Sequence, residues 1–153
     1  MTRAAVCVIY NPAAGKGRGG QRLNKLRRVL GARAAFRPTD REGHAEELAL
    51  VAAQEGFPIV AAAGGDGTAH EVANGILRSD RRDVTFAVIP VGSASDYAYS
   101  PGLDCDWWLR PDEHVAARPL DVGLVQSGPR SRYFINGLGL GFNGAVTLES
   151  RKI

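Results

Sequence analysis

The stretch VAAAGGDGTAHEVANGI, residues 60–76, decides how the chain is read. An unbroken apolar run over 60–63 stops at Gly64-Gly65-Asp66-Gly67-Thr68, and a helical pattern begins at once and runs from near Thr68 to about Arg78. Continuous apolarity without alternation is what a strand covered on both faces needs. A glycine-rich turn between such a strand and a helix lets backbone N–H groups approach an anion, and the helix N-terminus adds positive potential. An aspartate inside that cradle would repel a bare phosphate, so Asp66 calls for its own explanation.

Outward from this stretch, strand-like runs lie at 4–10, 34–37, 58–63 and 84–89, and later at 120–125 and 133–135. Helical patterns separate the early ones. Leu23, Leu26, Val29 and Leu30 share one face of a helix that stops at Gly31, with Arg22, Lys25 and Arg28 outside. Ala45, Leu48, Ala49 and Ala52 share one face of a second helix that ends at Gly56. Strand and helix in alternation predict a doubly wound, mostly parallel α/β sheet with helices on both faces. Ligands of such sheets bind beyond the carboxyl ends of the strands. The unusual loops all fall there: residues 11–20, 38–43, 64–68 and 90–97. The turn-rich, basic segment 126–132 then predicts a hairpin, and a new element opens at Gly137 without a closing cap, the pattern of a chain expected to continue.

Composition narrows the class. A chain of 153 residues suits one α/β domain with an ordinary core. The balance of 19 Lys+Arg against 16 Asp+Glu, +3 net, is a mild bias that suits an anionic ligand or membrane surface. Cys7 and Cys105 have neither metal nor redox spacing, which predicts a reduced, cytoplasmic protein. The apolar run 4–10 is too short for a signal core and is read as the first strand. No run approaches the ~18 apolar residues of a membrane span.

Several motifs have a bland reading beside the functional one. Gly15, Gly17 and Gly20 with Asp40 at the end of the next strand come close to a dinucleotide fingerprint, which keeps an NAD-type module open. Asn11-Pro12 at the head of that loop, and Lys16 and Arg18 inside it, suit exposed polyphosphate better; Gln21 stands where a P-loop needs lysine. A second match, Gly139, Gly141 and Gly144, is read as a bend. Thr39 with Glu42 reads as a capping box at a helix start, which leaves Thr39 free to touch a ligand as well. His44 is expected to be exposed, His114 to lack a metal partner, and Trp107 and Trp108 to pack a loop onto the sheet. Asp66 could be a helix cap, and Glu71 with Asn74 a surface pair beside an Asn-Gly helix irregularity; the functional reading is preferred for all of them.

NPAAGKG (11–17), GGDGTAHEVANG (64–75) and IPVGSASDYA (89–98) resemble, in order and spacing, the catalytic domain shared by diacylglycerol kinases, sphingosine kinases and bacterial lipid kinases. LDVGLV and RYFINGLGLGF resemble the family's next segments, so the likeness covers nearly all of residues 1–153. The GGDGT string alone is shared with NAD kinases and resembles a phosphofructokinase motif; the combination narrows it to the lipid-kinase branch. The resemblance implies an NAD kinase/diacylglycerol kinase-like fold and ATP-dependent, Mg²⁺-assisted phosphorylation of a lipid hydroxyl. Nucleotide contacts would map to Asn11, Pro12, Ala13, Ala14, Gly15, Thr39, Gly64, Gly65, Asp66, Gly67, Thr68, Ala69, His70 and Ser93. Asp66, Glu71 and Asp96 are the catalytic candidates, with Asp66 as metal ligand or as base toward the acceptor hydroxyl. A carboxylate can share the cradle with phosphate when a divalent cation lies between them.

Departures fall in the fourth loop, on the acceptor side and at His70, which stands where many bacterial members have asparagine and the sphingosine branch has histidine. The family's Gly-Thr-x-Asn-Asp-Phe-Ala reads Gly92-Ser93-Ala94-Ser95-Asp96-Tyr97-Ala98, keeping a hydroxyl at Ser93 and losing an amide at Ser95. Members continue into a β-rich domain that helps form the lipid site; it is not within these 153 residues, so the nucleotide half is expected to be inactive or weakly active alone. The implied partner is a lipid substrate met at the inner membrane surface, not nucleic acid, with homo-oligomerisation left open. A nucleotide- or dinucleotide-binding module without catalysis, or an NAD kinase-like enzyme, is the alternative.

Overall fold

A computed structural model of the chain describes residues 4–14, 18–91, 96–99, 102–110 and 117–138. Four parallel strands, β1 (Val6–Tyr10), β2 (Ala34–Pro38), β3 (Ile59–Gly64) and β4 (Thr85–Pro90), form one sheet in the order β2-β1-β3-β4. Helices α1 (Arg18–Leu30), α2 (His44–Gln54) and α3 (Asp66–Arg78) connect them, and a short α4 (Asp96–Tyr99) comes after β4. Tyr10 pairs with both Pro38 and Ala63, and Gly64 with Pro90, so the carboxyl ends finish in line. The chain leaves β1 toward β2 and returns to place β3 on the other side, which puts the switch of direction at those ends.

Alternate residues of β1 sort onto the two faces, as the two-residue period of a strand requires. Val8 and Tyr10 join Leu26 and Leu30 of α1, together with Ala61, Ile89 and Trp108. Cys7 and Ile9 join Val60 and Ala62 against Ala49, Ala52 and Val72 of α2 and α3. The three-layer doubly wound architecture expected from the apolar runs is what forms. Burying a side chain such as Ile9 contributes about 1.5–3 kcal/mol. Trp107 and Trp108 do pack a loop onto the sheet: Trp108 is buried beside α1, and the Trp107 indole donates to the Val88 carbonyl at 3.2 Å.

Some boundaries differ from the expectation. The Thr39/Glu42 capping box does not form; α2 begins at His44, after Gly43 in a left-handed conformation with φ +81°. No irregularity breaks α3 at Gly75. The helix runs straight through, because Gly75 is where α2 crosses it: a Cβ there would overlap the Glu46 carbonyl oxygen and the Ala49 methyl. The hairpin is present, as β5 (Gly123–Ser127) and β6 (Arg130–Phe134) with Ser127 opposite Arg130. Both strands lie closer to the turn than their apolar residues suggest, because the register is set by Gly128 at φ +58° and Pro129.

Candidate active site

Backbone bonds lace the loops together at the carboxyl edge. Asn11 donates its N–H to the Ala63 carbonyl at 3.3 Å, and its side-chain oxygen accepts the Ala13 N–H at 2.9 Å, folding the loop after β1 into a tight turn. Thr39 donates to the Tyr10 carbonyl at 2.9 Å. Gly65 precedes the first turn of α3 in an extended conformation without a side-chain cap, so the N–H groups of that turn are available to an anion.

These segments enclose a cleft of about 620 Å³ lined by Asn11, Pro12, Ala13, Thr39, Asp40, Arg41, Glu42, Ala45, Gly65, Gly67, Thr68 and Glu71. Three of the loops marked in the sequence thus meet in one place. A larger depression, about 680 Å³, runs beside β4 between Phe86, Tyr97, Trp107, Val122 and Ile135. Its walls are mainly apolar and it lacks those loops, so it is not the anion cradle.

The remaining candidates are placed differently. Ala14 lies under α1, where a Cβ on Gly19 would overlap its carbonyl oxygen; Gly20 has open space around its Cα. The third glycine of a dinucleotide fingerprint is there for close helix packing. Here the neighbouring Gly19 packs instead, so Gly20 does not play that part. Gly64 is the buried end of β3, and Ala69 is buried in the core. Gly15 and Ser93, with Lys16, Gly17, Ser95, His114 and the glycines at 139, 141 and 144, lie outside the described residues.

Asp66 is not the cap of its own helix. Its Oδ2 accepts the Asp96 N–H and its Oδ1 the Tyr97 N–H, both at 3.0 Å, so it holds the first turn of α4 and ties the turn after β3 to the segment after β4. Asp66 and Asp96 are thereby brought together. Glu71 does the same for α2: Oε1 accepts from Gly43 at 3.0 Å and Oε2 from Ala45 at 3.1 Å, supplying the cap that Thr39 does not. Asn74 is 1% exposed and clamps Tyr133, donating to its carbonyl at 3.0 Å and accepting its N–H at 3.1 Å. Asn74 is not a surface group, and Glu71 is partly buried with both carboxylate oxygens engaged.

His70 faces the hairpin: Arg132 Nε donates to its Nε2 at 3.3 Å. Burial, and then the charge of Arg132, hold the imidazole pKa below its usual value and keep it neutral. Glu46 is a functional-looking group that the motifs did not single out. It is buried between Arg78 and Arg132, each at 2.5 Å. Burial pushes its pKa up, but the two guanidinium groups outweigh that and hold it below the ordinary value. An acid at position 46, between the apolar-face residues Ala45 and Ala49, was the available signal. His44, half-buried rather than exposed, meets Asp40 Oδ1 at 2.6 Å.

Magnesium ordinarily takes one or two carboxylates plus phosphate oxygens rather than an all-protein cage. Asp66 offers one such carboxylate, since each of its oxygens keeps a lone pair after accepting one N–H; Asp96 meets it through its backbone N–H. Among the described residues no group of three or more His, Cys, Asp or Glu is placed to hold a metal unaided. Nor is any helix among them long and apolar enough to cross a membrane.

Comparison with known proteins agrees with this fold. Residues 5–125 match the model of the diacylglycerol kinase catalytic domain. The chain is 38% identical over 143 residues to the diacylglycerol kinase of Bacillus subtilis strain 168, covering 89% of this chain and 45% of that protein. It is 34% identical over 128 residues to a Pseudomonas aeruginosa protein named "Probable lipid kinase YegS-like", covering 80% and 39%. The crystal structure of a diacylglycerol kinase from Bacillus anthracis superposes with a TM-score of 0.70 at 25% identity, over 98% of this chain and 53% of that one. The chain therefore spans less than half the length of the curated relatives it matches here. With a family match over that span, on a parallel sheet whose loops converge as described, the chain belongs to the diacylglycerol kinase catalytic domain family.

Proposed function

We propose that this chain is the nucleotide-binding half of an ATP-dependent lipid kinase that transfers the γ-phosphoryl group to a lipid hydroxyl such as that of diacylglycerol. The observation that carries the reading is the cleft in which the Asn11 turn, the Thr39 loop and the GGDGT turn face one another at the carboxyl edge of the sheet. Backbone N–H groups of Gly67 and Thr68 at the head of α3 would cradle the phosphates. The Asn11–Ala13 turn and Thr39 would border the rest of the nucleotide. Magnesium, when bound, would neutralise charge on the phosphates, with Asp66 as its protein donor. Asp66 also holds α4 in place, and Glu71 acts as a positioning residue through α2. The acceptor lipid, a membrane surface and a β-rich domain beyond this one belong to the same proposal, supported by the family and by relatives about twice as long.

Engagement of both Asp66 and Glu71 by backbone amides favours one other reading, a module that binds nucleotide without catalysis. Calorimetric titration with ATP and with NAD, each with and without Mg²⁺, tests the proposal. Magnesium-dependent ATP binding supports a kinase half; tight NAD binding indifferent to Mg²⁺ overturns it. In the longer protein, Asp66→Asn should abolish lipid phosphorylation and leave ATP binding measurable.

A further inference from the structure

We propose that Asp40 is the ribose-selecting residue of the cleft: one oxygen of its carboxylate accepts the sugar hydroxyls of the bound nucleotide. This rests on the nucleotide reading above and specifies which part of the ligand lies where.

Asp40 stands just past the carboxyl end of β2, and its neighbour Thr39 is tied to the end of β1. It lines the same cleft as the Asn11 turn and the head of α3. In the sheet order β2-β1-β3, the end of β2 lies two strand spacings from the end of β3, roughly 9–10 Å. Phosphates seated on α3 would leave the sugar of an extended nucleotide near β2. In dinucleotide-binding sheets an acid just past the second strand hydrogen-bonds a ribose hydroxyl, and Asp40 has that place relative to β2.

The side chain is set up to accept. Arg41 Nη1 at 3.0 Å and His44 Nδ1 at 2.6 Å both meet Oδ1, and Oδ2 has no partner among the described residues. The side chain is 69% exposed, so Oδ2 is open to a ligand. Arg41 in turn is held by Glu47 at 2.5 Å as well as by Asp40. With its guanidinium shared between two acids, Arg41 is not set to receive a phosphate on the ribose, and the negative Asp40 would repel one. Desolvation raises the Asp40 pKa, but the hydrogen bonds and charges of Arg41 and His44 together outweigh it and hold the carboxyl below its ordinary value. Two hydroxyls meeting a carboxylate form charge-assisted hydrogen bonds, which a deoxy sugar cannot make.

The test is calorimetry on the 153-residue chain with Mg-ATP and with Mg-2′,3′-dideoxy-ATP, on wild type, Asp40→Ala and Asp40→Asn. Wild type is expected to bind ATP roughly tenfold more tightly than the dideoxy analogue. Asp40→Ala should bring ATP down to the dideoxy level and leave dideoxy-ATP unchanged, which also shows that the variant is folded. Asp40→Asn should fall between. Equal affinities in wild type, or selectivity that survives in Asp40→Ala, would overturn the assignment while leaving the nucleotide site standing. Absence of ATP binding altogether would remove both.

Discussion

Replacing Asn74 by alanine should loosen the hairpin from the rest of the fold. The amide of Asn74 stands in for a neighbouring strand: it donates to the Tyr133 carbonyl at 3.0 Å and accepts the Tyr133 N–H at 3.1 Å. Alanine removes both bonds and leaves the two partly buried backbone groups of Tyr133 without partners. At about 1 kcal/mol for each, with some rehydration, the loss is about 2 kcal/mol, plus a smaller cost for the space vacated. Alanine's better helix propensity returns about 0.5 kcal/mol. A net destabilisation of about 2 kcal/mol in urea is therefore expected, and hydrogen exchange at the Tyr133 amide should accelerate ahead of β1 and β3. An isolated two-stranded hairpin is marginal in water, so the effect should concentrate in β5 and β6. A change below about 0.5 kcal/mol, with the Tyr133 amide still protected, would show that Asn74 does not hold the hairpin.

Gly75→Ala should destabilise by about 1–3 kcal/mol because overlap with the Glu46 carbonyl and Ala49 outweighs the gain of about 1 kcal/mol in helix propensity; urea unfolding of a more stable variant would contradict the close α2–α3 crossing. Glu46, held below its ordinary pKa of 4.5, contributes stability that is full above that value and is lost as pH falls through its lower folded value. Glu46→Gln should therefore flatten the acid limb of a stability-against-pH curve, and an unchanged limb would count against the Arg78–Glu46–Arg132 cluster. His70, also shifted downward from 6.5, makes the folded state resist protonation, so its contribution declines as pH drops below 6.5. NMR titration of the ring protons should give a midpoint under 6.5, and a midpoint above it would refute the neutral His70 beside Arg132.

What could be read from the sequence was what is local. Continuous apolar runs become the four sheet strands, and the face bearing Leu26 and Leu30 is buried as its spacing requires. Convergence of the loops is a consequence of strand–helix alternation, and the cleft contains Asn11, Thr39, Gly65, Gly67 and Thr68. What could not be read is capping between distant segments. The Thr39/Glu42 pattern looks sufficient to start α2, yet Glu71, 28 residues from Gly43, supplies the acceptor. Asp66 likewise serves amides 30 and 31 residues away. Glycine spacing also misleads, since Gly19 rather than the patterned Gly20 makes the close approach. Such roles depend on which elements the fold places side by side.

The most direct measurement is backbone amide NMR of the chain titrated with Mg-ATP. Shifts should concentrate at Asn11, Ala13, Thr39, Gly65, Gly67 and Thr68, around the 620 Å³ cleft. Saturating nucleotide that leaves those amides unmoved, or moves instead the residues beside β4, would contradict the assignment of the cleft.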